Sequence, residues 1–373
     1  MVRLLHDNRD PVVLVASAEF TLKSFPVRRT LEQRLIDDLR VALGRSGFEG
    51  FRVEKHAARL LVRGIPESTL ESAAKCCAKV FGVAYAVPAV LIPFSMGIVL
   101  EEIVQVARAS LTNGQSFALR CRRVTQNSTH RRDIEIKGGS EVLRALHDRG
   151  VRVDLKKPDV TIAVDLGEDW VLVYGNRIRG PSGLPLSSQW KMLAVLDSGP
   201  LTILAAYTMM RRGCMVELLI PFSKATEYFN KERQLQLAAK LRSLVTRPVY
   251  KAFIMNIDSC STEYAYAKSQ IRNAALQVAK ENRFRGVIFS DITGDLNLLS
   301  LGDRTTGNNM RPAAFYPLLA FGIADLFELG GSVGIPQSDL LSQITLERES
   351  SRYREPTKFS EDLVDLTVQE ITL

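Results

Sequence analysis

The sequence predicts a multidomain α/β protein, and three observations support this fold class. Roughly the first 80 residues alternate as β-α-β-β-α, and a second block of strands and helices continues to Arg177. After a Gly/Pro cluster at Gly180–Pro185, longer strand–helix repeats run to Ser290. Repeats of this last kind form a parallel sheet covered by helices. With 373 residues, of which 46% are hydrophobic, the chain is long enough for two or three globular domains.

In the first block, hydrophobic periodicity predicts three strands and two helices. The first helix has leucines at four-residue intervals, which place them on one helical face. The second helix begins at Ser68–Glu71, which has the spacing of a capping box. The predicted elements are strand 12–18, helix 28–44, strands 51–55 and 60–63, and helix 68–80.

The later elements are predicted in the same way. The second block contains a strand after residue 83, helix 96–111, a strand from residue 117, a basic helix at 140–149, and strands 159–166 and 170–177. The third block contains strands 191–196, 215–221, 249–257 and 286–290, which alternate with helices 201–212, 226–246 and 264–282. Residues 341–373 are rich in charged and hydroxyl side chains, and we expect a polar C-terminal tail there.

Composition excludes several classes of protein. The longest apolar run, residues 81–94, contains two prolines and is shorter than the roughly 20 residues that cross a bilayer, so no membrane association is expected. Asp7 precedes any apolar core of a signal peptide, which predicts a cytoplasmic protein. The five cysteines and four histidines have no zinc-ligand spacing, so we expect buried thiols and no metal.

Positive charge is concentrated between Ser116 and Lys157. This segment has eleven Lys or Arg residues against five Asp or Glu residues, whereas the net charge of the whole chain is only +8. Such a concentration is typical of proteins that neutralise phosphates, and RNA or another polyanion is the expected partner. An ordinary solvated basic surface is the alternative interpretation. The candidate RNA-binding residues are Arg120, Arg122, Arg123, Arg131 and Arg132.

The turn Asp197–Pro200 follows the first strand of the third block. Ligands bind parallel sheets at the carboxyl ends of the strands, where a phosphate can lie against a helix N-terminus. Glycine and proline would equally suit a plain strand-to-helix turn, and both interpretations stay open at this point.

Several motifs together resemble one known family. They are Glu19–Lys23 with Arg28–Arg29, Lys79–Val83, Val153–Val160, the Gly180–Pro185 junction, and 205–213. In this order they are similar to the ThiI family, the tRNA 4-thiouridine synthetases (tRNA sulfurtransferases) that are also linked to thiamine-thiazole sulfur transfer. The resemblance implies a ferredoxin-like α+β domain at 1–78 and an RNA-binding THUMP domain at 79–179. It further implies a PP-loop domain, similar to the adenine nucleotide alpha hydrolases, at 180–340, before the tail at 341–373 and with no rhodanese domain.

The resemblance also implies a reaction, cofactors and partners. The family activates uridine with ATP and magnesium, takes sulfur from a donor such as a cysteine desulfurase, binds tRNA and can form homodimers. The positions that match its nucleotide site are Ser198, Gly199, Thr202, Lys268 and Gly294. The candidate for sulfur chemistry is Cys260, which has a plausible setting just before the helix that carries Lys268.

The chain departs from the family pattern where the chemistry occurs. The family's S-G-G-x-D-S loop is replaced by Asp197–Thr202, in which Leu201 stands at the acidic position and Pro200 supplies no N–H. A phosphate cradle depends on N–H groups and hydroxyls, and magnesium needs oxygen ligands. The family's late cysteine has no counterpart after Cys260. This pattern predicts a loop that does not work as an ATP site.

Two hypotheses from different functional classes follow. In one, the chain is a tRNA-thiolating enzyme that binds ATP. In the other, it is a catalytically degenerate protein that binds tRNA and docks a partner enzyme. A third possibility is a different small ligand at the same strand ends, because a fold alone does not determine chemistry.

Overall fold

The structure consists of two compact units, Met1–Gly183 and Leu184–Leu373. The division falls inside the segment 180–185, which the sequence predicts as a linker or tight turn. The computed structural model describes residues 9–17, 19–20, 23–124, 130–197, 199–224, 229–246, 251–258, 264–292, 312–350 and 368–372.

The first unit is built on a sheet that runs through both of the first two predicted blocks. Its elements are β1 (Asp10–Ser17), α1 (Phe25–Arg45), β2 (Arg52–His56), β3 (Arg59–Arg63), α2 (Leu70–Ala78), β4 (Val83–Pro93), α3 (Met96–Ser110), β5 (Ser116–Arg123), α4 (Arg131–Ala145), β6 (Arg152–Val153), β7 (Val160–Leu166), β8 (Trp170–Tyr174) and β9 (Ile178–Arg179). The strand order is β2-β3-β1-β4-β8-β7-β5-β6, with β9 paired to β4. β4 pairs with β1 on one side and with β8 on the other, so one strand joins the two blocks.

The helices of this unit follow the predicted apolar faces, with one difference at α2. In α1, Leu31, Leu35, Leu39 and Leu43 are all buried, as the four-residue spacing predicts. The predicted capping box at the start of α2 is not formed. Residues 67–69 form a 3-10 turn before the helix, and no side chain caps the first turn.

Helix α4 begins at Arg131 and not at residue 140 as the sequence predicts. Its buried face consists of Ile134, Gly138 and Val142, spaced by four residues, and the glycine hides this pattern in the sequence. A Cβ at Gly138 would lie 2.6 Å from Leu119 Cδ2 and 3.1 Å from Ile103 Cδ1. The missing side chain therefore lets α4 pack closely on β5 and α3.

The second unit confirms the predicted parallel sheet covered by helices. Its elements are β10 (Lys191–Val195), α5 (Pro200–Arg211), β11 (Met215–Phe222), α6 (Lys231–Ser243), β12 (Lys251–Asn256), α7 (Tyr264–Glu281), β13 (Gly286–Ile288), β14 (Ala313–Phe315), α8 (Ile323–Val333), α9 (Gln337–Ser350) and β15 (Val368–Thr372). The strand order is β14-β13-β10-β11-β12-β15, parallel except for β15. Among the described helices of the chain, none is both long and apolar enough to cross a membrane.

Strand β10 is the point at which the strand order of the second sheet reverses. From β10 the chain builds outward through β11 and β12, and it later returns to place β13 on the other side of β10. Open parallel sheets bind ligands at such a switch point, outside the carboxyl ends of the strands. A ligand site in this sheet is therefore expected at the residues that follow β10 and β13.

The C-terminal region differs from the predicted polar tail. Residues 337–350 form α9, and 368–372 form β15, which pairs antiparallel with β12. Polarity is misleading here because two of the polar side chains of α9, Gln343 and Glu347, are buried.

The close approach at Gly138 gives a test of the packing. We expect Gly138→Val to lower the free energy of unfolding of the first unit by about 1–3 kcal/mol, because the added methyls overpack the core. Gly139→Val is the matched control, since a Cβ there meets no atom within 4 Å. Its effect should stay within about 0.5 kcal/mol. The chain has two tryptophans, so in a Trp190→Phe background the fluorescence of Trp170 reports urea unfolding of the first unit. Equal destabilisation by both glycine variants would contradict the packing account.

Candidate functional site

The five predicted RNA-binding arginines are all exposed and lie at the end of β5 and the start of α4. Along β5, Leu119 and Cys121 point into the core beneath α3 and α4. Side chains alternate along a strand, so Arg120 and Arg122 lie on the opposite face of the sheet and Arg123 on the helix side. The arginines therefore surround the end of one strand on both faces.

Glu135 connects the start of α4 to this strand. Its Oε1 accepts a hydrogen bond from the backbone N–H of Cys121 at 2.9 Å, and Arg131 Nε donates to the same oxygen at 3.4 Å. The short strand β6 pairs only with Ser116 and Phe117, so it stops before Cys121. A side chain thus satisfies a backbone donor on β5 beyond the end of β6, and this contact holds Arg131 beside the strand.

Arg122 is held by a buried carboxylate. Its Nε and Nη2 donate to the two carboxylate oxygens of Asp165 at 3.1 and 2.7 Å, across the pairing of β5 with β7. The Asp165 side chain is 3% exposed, whereas that of Arg122 is 53% exposed. This hydrogen bonding raises the pKa of Arg122. The guanidinium is therefore fixed at its inner edge and open to solvent at its outer edge.

Asp165 is shared by other groups that sequence analysis did not single out. The Tyr174 hydroxyl donates to it at 3.2 Å, and Arg59 Nε lies 3.8 Å from its Oδ2. Arg177 stacks on Tyr85, with its Cζ 4.5 Å from the ring centroid. These residues come from distant parts of the chain, so no local sequence pattern indicates them. Two guanidinium groups share one carboxylate, which leaves a positive surplus at this point.

The remaining predicted arginines are less constrained. Arg120 donates to the carbonyl of Leu155. Arg123 and Arg132 form no ion pair with any other described residue. Arg131 pairs with Glu135 one turn along α4, on the surface, where such pairs contribute little. Of the five, only Arg122 is bound to a buried acid within the part of the chain that the structure describes.

The second unit has a buried polar cluster at the switch point of its sheet. Asp197 follows β10, and Ser290 and Asp291 follow β13 on the neighbouring strand. Lys268 and Arg272 reach them from α7, and Gln343 and Glu347 reach them from α9. We call these seven residues, with Thr202, the strand-end cluster. Ser198, Gly294 and Cys260, which the sequence singles out, lie outside the described residues.

The hydroxyl groups of the strand-end cluster are directed at groups of the protein. The Thr202 hydroxyl donates to the carbonyl of Val195 at 3.0 Å. The Ser290 hydroxyl donates to Asp197 Oδ1 at 3.1 Å. Thr202 Oγ1 and Ser290 Oγ lie 3.3 Å apart. The two hydroxyls are thus engaged inside the cluster.

Both cations of the strand-end cluster are buried against carboxylates. Lys268 Nζ donates to Glu347 Oε2 at 2.6 Å and lies 3.9 Å from Asp291 Oδ1. Arg272 Nη2 donates to Asp291 Oδ1 at 2.6 Å, and its Nε lies 3.7 Å from Asp197 Oδ2. Three carboxylates therefore face two cations.

The pKa shifts in the cluster follow from burial and from these charges. Burial raises the pKa of Asp197. Burial also acts to raise the pKa of Asp291, but the charges of Lys268 and Arg272 outweigh it and hold that pKa below its ordinary value. For Lys268 the burial effect is opposed by Glu347, Asp197 and Asp291, which together raise its pKa. The charged forms of Lys268 and Asp291 are thus stabilised by their neighbours, whereas burial disfavours the charged form of Asp197.

Gly199 lies directly beside this cluster. Its φ of +53° is in the region that favours glycine, and a Cβ there would lie 2.9 Å from Gln343 Oε1. Gln343 Nε2 in turn donates to Glu347 Oε1 at 3.1 Å. The structure therefore brings Gly199, Thr202 and Lys268, three of the residues that the sequence singles out, to one site. It also adds Asp291, Gln343 and Glu347, which sequence analysis missed.

Three of the four described cysteines lie in surroundings that disfavour a reactive thiol. Cys77, Cys121 and Cys214 are buried, and burial raises the pKa of each thiol. A nucleophilic thiol needs the opposite shift. No group of three or more His, Cys, Asp or Glu side chains suited to a metal ion occurs among the described residues.

Comparison with known proteins relates the first unit to two domain families. The ThiI ferredoxin-like domain matches residues 12–86, and the THUMP domain matches residues 99–176. These matches cover the strands from β1 into β4, and then the segment from α3 through β8, which contains all five arginines.

Named relatives extend the similarity beyond these domains. A probable tRNA sulfurtransferase of Methanosarcina mazei is 26% identical over 343 residues, which are 87% of this chain and 82% of that protein. A probable tRNA sulfurtransferase of Methanobrevibacter smithii is 30% identical over 267 residues, which are 68% of this chain and 66% of that protein.

Solved structures show the same fold. A 4-thiouridine synthetase in complex with RNA and ATP has a TM-score of 0.71 at 17% identity, over 97% of this chain and 100% of that one. A protein of Pyrococcus horikoshii has a TM-score of 0.60 at 20% identity, over 87% and 100% of the two chains. The two domain matches and the named relatives identify the chain as a member of the ThiI family, with a ThiI ferredoxin-like domain followed by a THUMP domain.

Proposed function

We propose that this chain binds tRNA through the arginines around the end of β5 and takes part in 4-thiouridine formation as the protein that holds the RNA. The observation that carries the proposal is the set of five exposed arginines in the first unit, one of which is oriented by a buried carboxylate. The relatives named tRNA sulfurtransferase support tRNA as the RNA.

The geometry of Arg122 suits a phosphate ligand. Its inner edge is bound to Asp165 and its outer edge faces solvent, so the guanidinium is oriented before any ligand arrives. A guanidinium that is already held in place loses less side-chain entropy on binding, and its planar pair of N–H donors matches two oxygens of a phosphate. The second guanidinium near Asp165, that of Arg59, keeps the local charge positive.

The basic surface continues beyond the predicted arginines. Lys156 and Lys157 follow Asp154, whose Oδ1 accepts both of their backbone N–H groups at 2.8 and 2.9 Å. This turn holds the two lysines on the surface after β6. Contacts of this kind neutralise phosphates and give affinity and position, whereas folded RNA is recognised mainly by its shape.

The thiol chemistry points to a separate sulfur donor. The buried thiols of Cys77, Cys121 and Cys214 have raised pKa values, which disfavours the thiolate that sulfur transfer needs. These three thiols, together with family membership, support sulfur delivery by a partner such as a cysteine desulfurase. Family membership also supports a homodimer and a link to thiamine-thiazole sulfur transfer as parts of this proposal.

ATP is the cofactor that the family implies for the second unit, and the described residues do not fit its phosphates. The donors of Thr202, Ser290 and Lys268 are directed at protein oxygens. Leu201, at the family's acidic position, is buried and supplies no oxygen for magnesium. These contacts disfavour the second candidate function, an ATP-dependent thiolating enzyme.

The proposal predicts a defined salt dependence. Replacing Arg122 and Arg123 together with glutamine should lower the slope of log affinity against log salt by about two, because roughly one counterion is released per phosphate contact. Fluorescence anisotropy with a labelled tRNA transcript at several KCl concentrations measures this slope. The matched control is Arg52→Gln with Lys75→Gln, which removes two exposed charges elsewhere on the unit. If the control lowers the slope as much, binding is not located at β5.

The contribution of the oriented Arg122 guanidinium can be tested separately from the contribution of its charge. Arg122→Lys keeps the charge, so the salt slope should stay unchanged. Affinity should fall by roughly threefold to tenfold, because an ammonium cannot form the paired bonds to Asp165 that orient the group. The same anisotropy titration gives both quantities. Wild-type affinity in the lysine variant would mean that charge alone matters at this position.

The cellular role predicts a modification phenotype. Deleting the gene should remove 4-thiouridine from tRNA, measured by mass spectrometry of digested nucleosides. Because the proposal places catalysis elsewhere, Thr202→Ala and Cys260→Ala should both restore the nucleoside, whereas the Arg122/Arg123 double variant should not. A normal amount of 4-thiouridine in the tRNA of the deletion strain would contradict a role of this protein in thiolation.

A further inference from the structure

We infer that α9 takes the place of a bound anion at the strand-end cluster, so that the second unit folds around its own carboxylate and does not bind a nucleoside triphosphate. This inference concerns the second unit alone. It goes beyond the tRNA binding proposed for the first unit and does not depend on it.

The first support is the partner of Lys268. The ammonium donates to Glu347 Oε2 at 2.6 Å, and both side chains are almost completely buried, at 6% and 1% exposure. Lysine holds phosphate oxygens and carboxylate oxygens by the same charge-assisted hydrogen bonds. Glu347 therefore supplies to Lys268 what an anionic ligand would otherwise supply.

The second support is the space in front of Gly199. Gln343 lies one helical turn before Glu347, and its Oε1 lies 2.9 Å from the position that a Cβ of Gly199 would occupy. Its Nε2 donates to Glu347 Oε1 at 3.1 Å. One turn of α9 thus covers the turn after β10 and also holds the carboxylate that binds Lys268.

The third support is the balance of charge. Asp197, Asp291 and Glu347 face Lys268 and Arg272, so these two buried cations already have carboxylate partners within the protein. A triphosphate would add several negative charges to a buried site, where repulsion is poorly screened. An incoming anion would have to compete with Glu347 for Lys268 and with Asp291 for Arg272.

Thermal unfolding of the full chain tests this inference, with magnesium-ATP and inorganic pyrophosphate as probes. Wild type should show no rise in melting temperature with either probe at millimolar concentration. Glu347→Gln keeps the size of the side chain and removes its charge. In this variant, millimolar pyrophosphate should raise the melting temperature by about 2–4 °C. Glu349→Gln is the matched control, because it makes the same change at an exposed position of the same helix. It should behave as wild type.

Each outcome decides the inference. A rise in the melting temperature of wild type with magnesium-ATP would overturn it. A folded Glu347→Gln variant whose melting temperature does not change with pyrophosphate would also overturn it. If the Glu347→Gln variant is unfolded without added pyrophosphate, then pyrophosphate should restore its folding, whereas chloride at equal ionic strength should not. Failure of pyrophosphate to restore folding would overturn the inference. The tRNA titrations described above report on the first unit, so either proposal can fail without the other.

Discussion

Backbone pairing along β4 is the constraint on which the first unit depends. This strand of eleven residues pairs antiparallel with β1 and with β8, and β7 and β5 then follow in sequence across the sheet. The pairing of Arg122 with Asp165 depends on that register. A shift by one residue would turn every side chain of β5 to the other face and bury the arginine beneath α3 and α4. The basic surface is thus a consequence of strand register as much as of composition.

The second unit depends on a different interaction, the ion cluster beneath α9. Breaking a buried ion pair by removing one partner typically costs about 3–5 kcal/mol, because the other charge is left without compensation. Lys268 and Glu347 come from helices almost 80 residues apart in the chain, so their contact ties the C-terminal helix to the middle of the domain. Burial of charge is tolerated here because each carboxylate has a cationic or hydroxyl partner among the described residues.

The sequence predicts those features that depend on local pattern. The leucine stripe of α1, the βα alternation of the second unit and the exposure of the arginines all follow from spacing or composition. Features that depend on distant partners are not accessible in this way. Asp165 is one acid in an apolar strand, and nothing in its neighbourhood indicates that it binds Arg122. Glu347 lies in a segment so polar that the pattern predicts a tail, because periodicity cannot distinguish a solvated glutamate from one buried against a lysine.

The two units differ in the ratio of cations to carboxylates and in the burial of the cations. This difference bears on which unit can bind a phosphate. Around β5 the cations outnumber the acids they contact, and their outer edges face solvent. In the strand-end cluster the acids outnumber the cations, and the cations are buried. A phosphate ligand requires cationic donors that it can reach without displacing a protein carboxylate. The first unit meets that requirement as it stands, and the second would meet it only after α9 had given up Glu347. The RNA-binding role proposed for the first unit is therefore compatible with a nucleotide loop that departs from the family pattern.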